Sequence, residues 1–262
     1  AFDTDWTNKN LYRGLFTRSQ GFFQGSELSS SGRPADDHER ALLASFPDAV
    51  PPTVMRGGPS IEPSSGGQRE SLREALGLLA EAGYTVRDQR LVDAQGRPVM
   101  LEMLAATRAQ ERIMLSYSRS LRQLGIGVRV RLVDSAEYES RKRKFEFDII
   151  QATWAASLSP GNEQAFRWGS KAASAEGSYN FPGVQSPAVD AVIEALLAAT
   201  TREAFVSSAR ALDRVLISGD YVVPLFHVKR QWVAHWSHLK PSPKTPLFGY
   251  DLTAWWIEPA GR

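Results

Sequence analysis

Cysteine is absent from the 262 residues of this chain. That absence excludes a disulfide framework, a thiolate metal site and a cysteine nucleophile. Long apolar runs are also missing, since no stretch reaches the roughly 18 consecutive apolar residues of a membrane-spanning helix. The N-terminal sequence AFDTDWTNKN has neither the basic start nor the apolar core of a signal peptide. Hydrophobic residues make up 42% of the chain, which indicates a globular protein with a sizeable core.

A strong excess of one charge is missing as well. The formal net charge is +2, and the one compact basic run, RKRK at residues 141–144, is followed by no aromatic and glycine signature of a nucleic-acid-binding motif. The run is typical of a solvated helix end. We therefore expect no nucleic-acid partner.

Complete sets of catalytic or metal-binding residues are not found either. His235 and His238 lie three residues apart with His227 upstream, but no acidic residue stands at the spacing of a zinc protease motif. The glycine pairs lack the Lys-Ser or Lys-Thr that completes a phosphate-binding loop. Asp148 and Glu163 could form an acid and base pair, although Asp148 lies in an apolar strand where a local hydrogen bond is the simpler interpretation. We expect no catalytic residues, no metal and no cofactor.

The regular elements that the sequence predicts alternate between strands and helices. A capped helix is predicted from residue 3 or 4 to about 17, and the Pro- and Gly-rich residues 47–68 predict an irregular loop. The central order of strand, helix, strand, helix, strand predicts a mainly parallel sheet with right-handed crossovers. The predicted elements are a helix at 69–82, a turn at 93–96, a strand at 98–104, a helix at 111–124, a strand at 128–132, a helix capped by Ser135 and ending near 144, a strand at 147–152, helices at 187–199 and 202–217, and a strand at 221–228.

One loop has the composition of a binding site. It follows the strand at 147–152, begins with Trp154, turns at Pro160-Gly161 and continues through polar residues to Phe166 and Trp168. In open parallel sheets, ligands bind beyond the carboxyl ends of the strands. Aromatic faces beside amide and hydroxyl groups suit ligand recognition. The alternative is a surface loop whose tryptophans fill the core.

Several segments, taken in order, resemble a known family. They are LLAEAGY at residues 78–84, GIGV at 125–128, FDII at 147–150 and SPAVD at 186–190. This order resembles the C-terminal portion of the family 5 extracellular solute-binding proteins, the peptide receptors of ABC importers. Residues 6–23 and SLSPGNEQ at 157–164 are similar to the YejA-like branch, which handles oligopeptides. The resemblance implies an α/β fold, with a mainly parallel or mixed sheet flanked by helices, as in the second lobe of a type II (cluster C) periplasmic binding protein.

The resemblance also implies a division of the chain. Residues 1–56 are expected to belong with a first lobe that this chain lacks and with a linker, residues 57–230 to form the ligand-binding lobe, and residues 231–262 to return as a C-terminal tail. Apolar side chains near both ends would then be left uncovered, and we expect them to fold on each other, to pair in a dimer or to be disordered. These side chains are Trp6, Leu11, Leu15, Phe16, Leu247, Phe248, Trp255 and Trp256.

The leading functional hypothesis is a non-enzymatic, periplasmic lobe that binds a peptide or peptide-like solute and delivers it to an ABC permease in the inner membrane. In many members of the family that the sequence resembles, an acidic residue shortly after the matching tryptophan holds the peptide's amino terminus. Here that region has no acid, and Glu163 is the nearest substitute. Two alternatives are a hydrolase on an α/β scaffold and a protein-interaction module with exposed aromatic residues. Asn180 could instead be a simple turn residue before Pro182. The predicted ligand-binding residues are Trp154, Ala155, Ser157, Ser159, Asn162, Glu163, Trp168 and Asn180.

Overall fold

The fold was analysed in a computed structural model, which describes residues 2–59, 67–155, 157–228, 232–244 and 249–258. The helices are α1 (Thr4–Tyr12), α2 (Asp37–Leu43), α3 (Pro52–Met55), α4 (Gly67–Glu81), α5 (Arg108–Gln123), α6 (Ser135–Arg143), α7 (Glu163–Trp168), α8 (Pro187–Ala198) and α9 (Arg202–Ser218). The strands are β1 (Thr17–Arg18), β2 (Thr85–Arg87), β3 (Arg90–Val92), β4 (Met100–Ala105), β5 (Gly127–Leu132), β6 (Ile149–Ile150), β7 (Phe226–His227), β8 (Leu239–Lys240) and β9 (Trp256–Ile257). Within these residues, no helix is both long and apolar enough to cross a membrane.

The three-stranded sheet that positions the site is parallel, as predicted. Its strand order is β5-β4-β6, with Met100 opposite Gly127 at one end and Leu104 opposite Ile150 at the other. The helices α5 and α6 connect these strands, so the alternation read from the sequence is confirmed. Strand β6 is shorter than the predicted 147–152. The cap of α6 is Asp134 rather than Ser135, because the Asp134 carboxylate accepts hydrogen bonds from two backbone N–H groups of the first turn.

Helix α1 stops earlier than its apolar pattern predicts. Arg13 has φ 55° and Gly14 has φ 74°, so the chain leaves the helix in the left-handed region after Tyr12. The Asn8 side chain then holds the returning backbone, with its Oδ1 accepting from the Phe16 N–H at 3.1 Å and its Nδ2 donating to the Phe16 carbonyl at 2.7 Å. The residues beyond form β1, which pairs antiparallel with β7.

Two tight turns precede β4, and only the first of them was not predicted. The β2-β3 hairpin turns at Asp88 and Gln89, which both have positive φ, as a two-residue hairpin turn requires. The predicted turn at 93–96 is present as a second, separate turn, in which the Gly96 N–H donates to the Asp93 carbonyl at 2.9 Å. Within the predicted irregular loop 47–68, residues 52–55 form the single turn of α3, which begins with proline at its first position.

Two apolar cores hold the chain together. One core lies between the sheet and helices α4 and α5, and includes Met103, Met114 and Leu121. The other surrounds α9 and α8 and includes Leu212 and Val189. Five side chains from the N-terminal part of the chain also belong to this second core: Phe23, Leu28, Leu43, Val50 and Val54.

Helix α9 binds the N-terminal segment through two buried charged residues. The Asp213 carboxylate accepts from the Phe22 N–H at 2.8 Å and from the Ser30 N–H and hydroxyl at 2.9 and 2.8 Å. Arg214 and Glu39 form an ion pair at 2.6 Å, and both side chains are 0% exposed. Segment 20–56 therefore packs on the same core as α8 and α9. The division of the chain at residue 56 stays a prediction.

The ends of the chain are only partly described. Leu247 and Phe248 lie outside the described residues. Trp6 is 43% exposed, whereas Trp255 lies edge-on to His235 with ring centroids 5.1 Å apart. Phe16 packs on Phe226 of β7, with ring centroids 4.6 Å apart. Apolar residues near both ends are thus covered within the chain to different degrees.

Candidate functional site

The site begins where β6 ends. Residues 151–155, here called the strand-end strip, continue β6 without regular secondary structure. Among the described residues, no hydrogen bond uses the backbone N–H groups of residues 152–155. The side-chain oxygen Oε1 of Gln151 is buried and has no hydrogen-bond partner there. Buried polar groups are normally paired, so the strip presents hydrogen-bonding capacity that the described fold leaves unused.

Aromatic rings surround Trp154 beside this strip. Trp154 is half-buried, and its ring lies 4.9 Å from that of Trp168 and 6.0 Å from that of Phe181. Its Nε1 donates to the Tyr179 carbonyl at 3.3 Å. Tyr179 in turn lies edge-on to Phe181 and Phe166, with centroids 5.7 and 5.5 Å apart. These five rings form one contiguous set, here called the aromatic cluster.

The loop after the strip is held by its own polar groups. Both Glu163 carboxylate oxygens accept from the Gly161 N–H at 3.0 Å, and Oε1 also accepts from Gln164 at 3.1 Å. Burial raises the pKa of Glu163, but the hydrogen bonds from Gly161 and Gln164 and the charge of Arg167 outweigh it, so the pKa is lowered. The carboxylate is ionised at neutral pH and is already used to close the Pro160-Gly161 turn.

The structure separates the predicted ligand-binding residues into three groups. Ala155, Ser157, Ser159 and Asn162 are exposed. Trp154 and Glu163 are half-buried. Trp168 and Asn180 are buried, at 2% and 0% exposure.

Trp168 and Asn180 have packing roles in this structure. Trp168 belongs to the core around α9, where Phe22 meets it edge-on at 4.9 Å. The Asn180 amide donates to the carbonyls of Gly169 and Val184 and accepts from the Val184 N–H, at 3.0, 3.0 and 2.8 Å. The turn interpretation of Asn180 agrees with these bonds. Contact of either side chain with a solute stays a prediction.

Two aromatic residues and one cation of the site were not predicted from the sequence. Tyr179 and Phe181 belong to the aromatic cluster, and Arg167 Nη1 donates to the Ala155 carbonyl of the strip at 3.0 Å. Phe166 lies in the loop whose composition predicted a site, although it was not among the predicted ligand-binding residues. The pattern SYNFPG at residues 178–183 contained a usable signal, because two aromatic residues flank an asparagine before proline. The hydrogen bond between Trp154 and Tyr179 joins residues 25 positions apart, so no local sequence pattern predicts it.

Catalytic chemistry finds little support in the geometry. Ser19 Oγ and His227 Nδ1 are 3.4 Å apart, a long contact across the β1-β7 pair that no acidic side chain among the described residues completes into a triad. Asp148 accepts from the Glu102 N–H at 2.7 Å, the local hydrogen bond expected for it. No group of three or more His, Cys, Asp or Glu side chains in the described ranges could hold a metal ion.

A cavity of about 170 Å³ lies away from the strip, between α1 and α5. Its lining includes Phe2, Trp6 and Tyr117, and none of its residues belongs to the strand-end strip or the aromatic cluster. This cavity is therefore not part of the candidate site.

Comparison with known proteins assigns the chain to a family. The family described as "Bacterial extracellular solute-binding proteins, family 5 Middle" matches residues 1–176. The chain belongs to this family. The resemblance read from the sequence is thereby confirmed, and family 5 proteins are extracytoplasmic binding proteins rather than enzymes.

Individual relatives agree with this assignment. A putative binding protein of Brucella melitensis is 51% identical over 257 residues, which cover 97% of this chain and 42% of that protein. A probable peptide-binding protein, YejA, of Agrobacterium fabrum is 41% identical over 268 residues, which cover 100% of this chain and 43% of that protein. The chain thus spans less than half the length of these family 5 relatives.

A solved structure supports the fold. The oligopeptide-binding protein AppA of Bacillus subtilis, in complex with a nonapeptide, has a TM-score of 0.66 to this chain at 14% identity, covering 97% of this chain and 45% of AppA. The α/β fold predicted from the resemblance, that of a type II periplasmic binding protein, is confirmed. The comparisons give no support to a dimer of this chain.

Proposed function

We propose that this chain forms one side of the binding cleft of a periplasmic family 5 receptor, which takes a peptide or peptide-like solute and delivers it to an ABC permease in the inner membrane. The observation that carries the proposal is the strand-end strip, whose N–H groups at residues 152–155 are unused among the described residues. A peptide backbone carries the complementary donors and acceptors at the same spacing along the chain. The names of YejA and AppA, a probable peptide-binding and an oligopeptide-binding protein, agree with this chemistry.

In this mechanism, the solute adds a short strand to the exposed edge beyond β6. Because paired strands alternate the direction of their hydrogen bonds, only every second N–H of the strip can face the solute. The half-buried Trp154 ring forms an apolar wall at the strip, and its Nε1 is already bound to Tyr179. Backbone pairing is indifferent to side-chain identity, so this part of the site recognises peptides as a class.

The ionised groups near the strip are already occupied. Glu163 closes its own turn, and Arg167 binds the Ala155 carbonyl. Neither is free to hold a terminal charge of the solute without breaking these bonds. We therefore propose that this side of the cleft binds main-chain amides rather than the charged ends of a peptide.

An experiment on the solute tests this without altering the protein. The full-length receptor is titrated by calorimetry with a penta-alanine peptide and with thioamide analogues in which one carbonyl oxygen at a time, the acceptor for an N–H of the strip, is replaced by sulfur, a weaker acceptor. Backbone pairing predicts weaker binding at alternate positions, by up to about 0.5–1.5 kcal/mol for each weakened hydrogen bond. Equal affinity for penta-alanine and all thioamide analogues would contradict main-chain recognition, and no binding of any peptide would contradict the proposed function.

A variant pair tests the strip itself. Thr153 is exposed, so Thr153→Pro removes one N–H of the strip, whereas Thr153→Ala removes only the side chain. Only one of the two single variants Ala152→Pro and Thr153→Pro should weaken peptide binding, because only every second N–H faces the solute. Thr153→Ala should bind like the wild type. Melting temperatures of all variants show whether each fold is intact.

A further inference from the structure

Tyr179 is an exposed ring held between two buried neighbours. Its residue is 52% exposed, whereas Ser178 and Asn180 on either side are 2% and 0% exposed. Because both flanking side chains are fixed inside the protein, the exposed Tyr179 ring is not carried by a mobile loop.

The hydrogen bonds around Tyr179 fix the loop that carries it. Ser178 Oγ donates to the Ala172 carbonyl at 2.6 Å and accepts from the Asn180 N–H at 3.2 Å. The Asn180 amide makes three further bonds to the backbone of Gly169 and Val184. The Tyr179 backbone itself donates to the Phe166 carbonyl at 3.3 Å. The backbone that carries the ring therefore has little conformational freedom to lose when another group packs on the ring.

The backbone of residue 179 is also joined to the strand-end strip. The Tyr179 carbonyl accepts the indole N–H of Trp154, which belongs to the strip, at 3.3 Å. Phe166, 46% exposed, lies edge-on to Tyr179 on the other side, with ring centroids 5.5 Å apart. A solute paired with the strip would thus run beside two partly exposed rings whose positions are set in advance.

We propose that Tyr179 is a specificity-determining residue of this site, and that Asn180 is the positioning residue that holds it. The pair selects peptides that carry an aromatic or large apolar side chain at the position next to Trp154. Rigid tyrosine rings with few torsions are effective at such contacts, and aromatic pairs prefer the edge-on geometry that Tyr179 already makes with Phe166 and Phe181. This inference rests on the proposed function.

The test uses the full-length receptor and a peptide series. Penta-alanine is compared by calorimetry with five analogues in which one alanine is replaced by phenylalanine. We expect one phenylalanine position to bind about tenfold more tightly than penta-alanine, the scale of one well-packed aromatic contact. Tyr179→Ala should abolish this preference, and Tyr179→Phe should keep it. Leu197→Ala, at a residue 44% exposed on α8, is the control for loss of an exposed apolar side chain elsewhere.

Asn180→Ala should lower the same preference without changing the affinity for penta-alanine, which a purely structural role would not do. If Asn180→Ala does not fold, the comparison of Tyr179→Ala with Tyr179→Phe still tests the inference. The Tyr179 side chain makes none of the hydrogen bonds that fix the loop, so both variants should fold. A preference that survives Tyr179→Ala overturns the inference, as does an equal loss of affinity for all six peptides. If all six peptides bind the wild type equally, the inference fails and the proposed function stands. If none binds, the proposed function itself fails.

Discussion

Arg214 is the residue whose replacement we expect to be most costly for stability. Its side chain is 0% exposed, and its three donors reach the Glu39 carboxylate at 2.6 Å, the Val54 carbonyl at 2.5 Å and the Arg33 carbonyl at 2.7 Å. Arg214→Met keeps much of the volume but removes one hydrogen bond from each of these three acceptors. The Val54 carbonyl would keep its bond from the Gly57 N–H at 2.9 Å. The partner Glu39 would be a buried carboxylate that, among the described residues, keeps one bond, from the Asp36 N–H at 3.2 Å.

The expected loss follows from that geometry. Removing one partner of a buried ion pair costs about 3–5 kcal/mol, because the other charge stays desolvated. A domain of ordinary stability has only about 5–15 kcal/mol to lose. The double variant Glu39→Gln with Arg214→Met removes the stranded charge and keeps the helix cap, so we expect it to be more stable than Arg214→Met alone.

An exposed ion pair between the same parts of the chain provides the control. Arg202 of α9 pairs with Glu27, and their side chains are 49% and 53% exposed. Arg202→Met should cost less than about 1 kcal/mol. Urea unfolding followed by circular dichroism gives all four stabilities. The reasoning is refuted if Arg214→Met costs no more than Arg202→Met, or if the double variant is the least stable of the set.

Two further predictions concern the sheet and the site. Arg141 donates a hydrogen bond at 2.5 Å to the Glu102 carboxylate. This bond lowers the pKa of Glu102 by more than burial raises it, so the pKa lies below 4.5 in the folded protein. The wild type should therefore be more stable than Glu102→Gln by a constant amount above pH 4.5, and this difference should disappear as the pH falls through the lowered pKa. Urea unfolding of both proteins at several pH values measures the difference in the free energy of unfolding. A difference that grows towards low pH would contradict the prediction. Because Trp154 packs on the core and also lines the strip, Trp154→Ala should lower both stability and peptide affinity, each by about 1–3 kcal/mol, whereas Trp154→Phe should keep most of both. A fall in melting temperature with unchanged affinity would assign Trp154 to the core alone.

The elements that could be predicted from the sequence are those with a strong local pattern. Helices α5 and α9 show apolar residues at helical spacing, and β5 alternates between apolar and charged residues. Their order was sufficient to predict the parallel sheet, since a strand, helix, strand order allows few other arrangements. The loop that contains the proposed site follows β6, as the sequence predicts, and its role as a site stays a prediction.

What could not be predicted depends on contacts between distant residues. In α9 the stripe of Phe205, Ala209, Leu212 and Leu216 predicts one buried face, yet Asp213 and Arg214 are also buried. Their partners lie 160–191 residues away in sequence, so no local pattern marks them. The same holds for Trp168, which an aromatic and polar loop composition suggested as a ligand wall. Helix α7 turns it into the core, and Tyr179 stands exposed instead.

The contacts proposed for the strip are too few to give micromolar peptide affinity by themselves. Four N–H groups, of which alternate ones can face a solute, give about two hydrogen bonds at 0.5–1.5 kcal/mol each. One apolar side chain packed on the Tyr179 ring adds about 1.5–3 kcal/mol if fully buried. These contributions total roughly 2.5–6 kcal/mol, whereas micromolar affinity requires about 8 kcal/mol after the entropy lost on association has been overcome. The remaining free energy has to come from surfaces outside this strip. The chain spans 42–43% of the two relatives, so more than half of each relative's length is available to form such surfaces. The peptide affinity of the full-length receptor should accordingly exceed that of the isolated chain by orders of magnitude.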